Sequence, residues 1–167
     1  MIGQIALFIF PACLIAAAAY DVSSFRIPNW IPLTLAAMYL PTALMAELTV
    51  VDIAWALALM LGFLVVGMAM FAMRWFGGGD AKLLAAAAPW VGLSHAFDYI
   101  IGVALIGGLL VLALMMFRKM PLPSVAAERD WILRLHSSEV GIPYGVALAA
   151  AGVILFPETA IYAHMVS

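Results

Sequence analysis

Charge is what this chain has least of. Lys, Arg, Asp and Glu make up only 10% of its 167 residues, against roughly a quarter in a soluble globular domain. A globule of this size needs polar side chains to cover its outside, and here they are missing. With 68% hydrophobic residues and a mean hydropathy of +1.17, the composition is that of an integral membrane protein. The seven basic residues form no long run and the net charge is −2, which excludes a nucleic-acid binder. Cysteine is nearly absent too: Cys13 stands alone in an apolar stretch, so the chain forms no internal disulfide and no Cys-based zinc module. His95, His136 and His164 lie on loops or near the far end without metal-ligand spacing, so neither a metal nor another cofactor is expected.

What is abundant is apolar sequence. A crossing takes about 20 residues, leaving room for roughly six with short connections and no sizeable extramembrane domain. Apolar runs bounded by charge or turn residues cover Ile2 to Tyr20, Trp30 to Ala46, Ile53 to Met73, Leu83 to Leu93, Phe97 to Phe117 and Ile142 to Phe156. Ala17-Ala18-Ala19 resembles a signal-peptide cleavage pattern, but no Lys or Arg precedes the first run, which is expected to stay as a helix.

The short fourth run, which contains Pro89, reads as a crossing or a re-entrant hairpin, and charge decides between them. With six crossings, Arg26, Arg74, Lys82, Arg118, Lys119, Arg129 and Arg134 all fall on one side, the cytoplasmic one, and both termini lie outside. The opposite face then holds only Glu47, Asp52, Asp98 and Glu158. The fourth run is expected to extend past His95 or to sit in locally thinned bilayer. Trp30, Trp55 and Trp75 mark helix ends at the interface. Between Ser124 and Glu139, Val125, Trp131, Ile132 and Leu135 share a face opposite Asp130 and Arg134, as in an interfacial helix; a solvated loop is the other reading. No internal repeat or low-complexity linker divides the chain, so 1–167 is expected to be a single, all-α transmembrane domain.

Two cytoplasmic turns carry the remaining chemistry. In the first, Asp21 follows the C-terminal end of a helix, where the macrodipole disfavours an anion; Pro28 and Asn29 then start the next helix, Asn29 as its N-cap. Asp21 reads either as an interfacial carboxylate paired with Arg26 or as a working group. In the second, Gly77, Gly78 and Gly79 end the third helix and leave an open backbone that another extended chain can approach. Asp80 follows, either as the N-cap of the fourth helix or as a working group. The spacing does not fit a phosphate-binding loop. Asp21 and Asp80 are 59 residues apart, yet both emerge at cytoplasmic helix ends of one small bundle. Two adjacent carboxylates cannot easily both ionise, so one keeps its proton while the other acts as a base, the arrangement that activates water against a peptide carbonyl.

Three segments together resemble the type IV prepilin peptidases, the GxGD aspartyl proteases of bacterial inner membranes: Asp21 with Ile27-Pro28-Asn29, Gly77-Gly78-Gly79-Asp80-Ala81-Lys82-Leu83, and Ile142-Pro143-Tyr144-Gly145 leading into the last helix. The resemblance implies a GxGD protease fold with Asp21 and Asp80 as catalytic pair. It implies Gly77, Gly78, Gly79, Lys82, Pro143, Tyr144 and Gly145 as loop and substrate-side residues, with Arg26, Lys82 and Tyr144 as neighbours that tune the pair. It implies a pilin or pseudopilin precursor as partner, cleaved after a glycine at the cytoplasmic face of the bilayer. Larger relatives carry a cysteine-paired zinc insert and an N-methylating activity; this chain has neither, and is similar to the minimal form associated with tight-adherence (Tad, or Flp) pili. Ser23-Ser24-Phe25 stand where relatives often have more basic residues. Two other functions compete: a small transporter or channel, which would place a carboxylate near the bilayer midplane, where none of the six runs has one, and a non-catalytic scaffold for pilus assembly.

Overall fold

The computed structural model describes residues 2–123 and 128–166, with side chains from residue 6 onward. Each of the six apolar runs is helical. They form α1 (Ile2–Ser24), α2 (Trp30–Met45), α3 (Val50–Ala72), α4 (Gly78–Val91), α5 (Ala96–Phe117) and α7 (Tyr144–Leu155). Two short helices join them among the described residues: α6 (Asp130–His136), within the stretch read as an interfacial helix or loop, and α8 (Ala160–Val166) at the end, which was not foreseen. No strand occurs among the described residues.

Three helical segments are long and apolar enough to cross a membrane, 6–24, 50–72 and 93–117; a fourth counts if α7 and α8 are joined across their 47° bend. Their burial explains the composition. In the most apolar window of the segment containing α5, mean hydropathy reaches 2.8, yet only 6% of that window is buried inside the protein. A helix that is apolar all round and so little covered by its own chain needs an apolar solvent. The corresponding share for α3 is 17%.

The core gathers around α4. This helix is short and rich in alanine, so neighbouring backbones approach closely: a Cβ on Gly67 of α3 would stand 3.0 Å from the Ala81 side chain. It packs against α2, α3 and α7. Leu83, Ala86, Ala87, Trp90 and Val91 are buried against Phe10 and Leu14 of α1, Leu35 and Tyr39 of α2, and Leu148 of α7. Trp90 stacks on Phe10 at 5.4 Å, and its indole N–H donates to the Leu35 carbonyl at 3.0 Å. Tyr99 ties α5 to α7 by donating to the Leu148 carbonyl at 3.1 Å. Both of these side-chain donors are thus paired, as a dry interior requires.

Three helices end on a left-handed residue that is not glycine: Phe25, Glu47 and Arg74. After α2 and α3 the bonds are those of a Schellman motif, with Leu48 N–H donating to Ala43 and Trp75 N–H to Met70. After α1 a single bond from Phe25 N–H to the Asp21 carbonyl does the same work.

Several expectations need correction. The fourth helix does not extend past His95: it stops at Val91, where Gly92 takes φ +79, and a 3-10 turn over Leu93–His95 leads into α5. Helix α1 runs to Ser24, so Asp21 lies inside its last turns instead of beyond them. Asn29 precedes α2 without a side-chain capping bond; its Oδ1 accepts from Lys82 Nζ at 2.8 Å instead. Among the described residues of the stretch read as an interfacial helix, 130–136 is helical, and Val125 lies outside the described residues. That short helix is fixed to the end of α5 by Arg118, whose guanidinium donates to the carbonyls of Leu135 (2.9 Å), Val140 (2.9 Å) and Gly141 (3.0 Å).

Candidate active site

The three motif segments converge at one end of the bundle. Asp21 comes from the last turns of α1, Asp80 from the first turn of α4, and Gly145 from the first turn of α7. Asp21, Phe25, Arg26, Ile27, Gly77, Gly78, Gly79 and Asp80 line one cleft of about 320 Å³. Gly77 is the extended N-cap of α4, while Gly78 and Gly79 are already helical. The three glycines therefore do not form the open loop expected of them. They form a wall without side chains beside the carboxylates. Asp80 is the third residue of α4 and not its N-cap; from there its carboxylate approaches Gly77, where a Cβ would lie 2.6 Å from Oδ2.

Asp21 is 5% exposed. A carboxylate at a helix C-terminus meets the negative end of the dipole, but here α7 starts opposite it. The free N–H of Gly145 donates to Asp21 Oδ2 at 2.7 Å. Asp21 thus takes its bond from a backbone amide instead of the Arg26 pairing considered from sequence. Asp80 Oδ1 is buried and has no hydrogen-bond partner in the protein. Burial pushes Asp80 up to about 7, with the Asp21 charge as second cause, while the amides of Gly77 and Gly145 pull the other way without prevailing. One member of the pair accepts a backbone hydrogen bond; the other favours its proton. Among the described residues no group of three or more His, Cys, Asp or Glu could hold a metal ion.

Not every expected residue joins the pair. Lys82 points away, bonded to Asn29, and lines an apolar groove of about 400 Å³ that also includes Leu33, Met60 and Leu64. Tyr144 does not line the cleft: its ring packs on Phe76 at 5.9 Å and against Gly107 of α5. Pro143 is the buried N-cap residue of α7. Conversely, Ile27 and Phe25 carry more than was read from them. Ile27 fills the space between Gly79 and Gly145, with contacts that a Cβ on either glycine would crowd to 3.2 and 2.8 Å. Phe25, with φ 53, turns the chain back over the cleft. The hint for Ile27 was its place in the motif segment that follows Asp21; Phe25 was marked only as one of three residues where relatives often have more basic ones.

Comparison with known proteins gives one match. The model of the type IV leader peptidase family matches residues 8–115, which include Asp21 and the Gly77–Asp80 turn but not Pro143–Gly145. Neither a curated protein nor a solved structure matched the chain. The family match covers well over half of the sequence, and it falls on an all-helical chain whose apolar helices are long enough to cross a membrane. The chain belongs to the type IV leader peptidase family.

Proposed function

We propose that this protein removes the leader from pilin or pseudopilin precursors at the cytoplasmic face of the bacterial inner membrane, with Asp21 and Asp80 as its catalytic pair. The observation that carries the reading is the meeting of two carboxylates from α1 and α4 in one glycine-walled cleft. Asp21, the hydrogen-bonded anion, takes a proton from water as the water attacks the peptide carbonyl. Asp80 in its neutral form donates to the carbonyl oxygen and stabilises the charge that develops there. Asp21 then returns its proton to the leaving amine. The chemistry needs no metal or cofactor. Gly77, Gly78 and Gly79 leave room for an extended substrate backbone beside the pair.

The membrane arrangement proposed is six crossings in one domain, with both termini outside and the seven basic residues inside. The paired cysteines that go with a methylating insert are missing from the sequence, which supports a peptidase without methyltransferase activity, of the minimal type that serves Tad or Flp pili. A transporter would separate the carboxylates along a pore; their common cleft favours the peptidase.

The test is co-expression with a small pilin precursor, read by the mass loss of the leader. Asp21→Asn and Asp80→Asn should each abolish processing while the protein stays in the membrane. Full processing by either variant overturns the assignment.

A further inference from the structure

We infer that Gly145 is a positioning residue for the aspartate pair: its backbone N–H and its missing side chain together hold Asp21 in place against Asp80. The inference rests on the peptidase reading above and adds a third element to the site.

Gly145 is the second residue of α7, so its amide has no partner within the helix. It donates to Asp21 Oδ2 at 2.7 Å across 124 residues of sequence, in a buried setting. Such a bond favours the ionised carboxylate, which suits Asp21 to the base role proposed above.

Space is the second constraint at this position. Gly145 does not have a positive φ, since Gly92 is the only described glycine that does. Its backbone would therefore accept alanine, the better helix former. What excludes a side chain is the neighbourhood: a Cβ at 145 would stand 2.7 Å from Asp21 Oδ2, 3.1 Å from Asp21 Cβ and 2.8 Å from Ile27 Cδ1. Ile27 in turn lies against Gly79, where a Cβ would come within 3.2 Å of its own Cβ. Pushing Ile27 aside thus presses on the turn that carries Asp80. One added methyl group displaces both carboxylates of the pair.

The test uses the full chain in proteoliposomes with a pilin precursor. Gly145→Ala should lower kcat at least tenfold with little change in KM. It should also move the acid limb of the kcat/KM profile to higher pH, because Asp21 loses its donor geometry. Gly141→Ala, where a Cβ meets nothing within 4 Å, should cleave like the wild type. A folded Gly145→Ala protein that is as fast as the wild type, or slow with an unmoved acid limb, overturns the inference. If Gly145→Ala does not fold, amide hydrogen exchange decides: Asp21→Ala should speed exchange at Gly145 at least tenfold, and unchanged protection there overturns the inference. A wild type that cleaves no precursor sinks the peptidase reading instead, and the exchange measurement still tests the contact.

Discussion

Raising the pH from 6 to 8 should slow precursor cleavage by about tenfold. The proposed role of Asp80 requires its proton, and its pKa is raised to about 7 by burial first and by the Asp21 charge second. A group with that pKa is about 90% protonated at pH 6 and about 10% at pH 8. Because the carboxylates interact, 7 describes the upper step of the pair's titration. The assay is kcat/KM in proteoliposomes from pH 5 to 9, where the alkaline limb should fall near 7. Stability follows the same sign. The folded pKa of Asp80 lies above its ordinary 3.8, so its neutral form is the one the fold favours. That contribution is fully present below about pH 4 and is lost as pH rises through 7. Asp80→Asn cannot ionise, so it should melt higher than the wild type at pH 8 and alike at pH 4. At about 1.4 kcal/mol per pK unit the ceiling is about 4 kcal/mol, and the partial opening of the cleft to solvent reduces it. A rate that is flat from pH 6 to 8, with equal melting at pH 8, refutes the reasoning.

Two further expectations follow from the packing. Trp90→Phe keeps the stack on Phe10 but removes the indole's bond to the Leu35 carbonyl, which retains its place in the α2 helix, and should cost about 1 kcal/mol in unfolding measurements. Trp90→Ala should cost about 3–5 kcal/mol, while the folded fraction of either variant cleaves normally, because Trp90 lies about 15 Å along α4 from Asp80. Arg118→Ala removes the donor to three carbonyls and should speed amide exchange over 135–141 at least tenfold, with Arg118→Lys restoring only part, since an ammonium cannot reproduce the planar fork.

All six principal helices were legible because each is written as an apolar run between charged or glycine-rich turns, and membrane helices leave little else to read. The boundaries were less so. Asp21 was expected outside α1, yet an aspartate continues a helix when an opposing amide satisfies its carboxylate, and that amide comes from 124 residues away. The first-turn place of Gly78 and Gly79 went unseen because glycine propensity argues against a helix, whereas the α3–α4 contact at Gly67 and Ala81 holds this one together. The convergence of Asp21 and Asp80 could be inferred from topology. The part played by Gly145 could not, since it depends on which atoms a missing methyl would have touched. Lys82 was misjudged for a similar reason: two residues beyond Asp80 on a helix is the opposite face.

Helix α4 has 14 residues and so extends about 21 Å, while α5 with 22 residues extends about 33 Å. A hydrocarbon core is about 30 Å thick. In the six-crossing arrangement proposed above, α4 is too short to bring its two ends to both headgroup planes. If the short end is the one that carries Asp80, a precursor must lower its scissile bond below the headgroup plane or the lipid around α4 must thin. Under that arrangement, the acyl-chain length of the host membrane becomes one of the dimensions of the proposed active site.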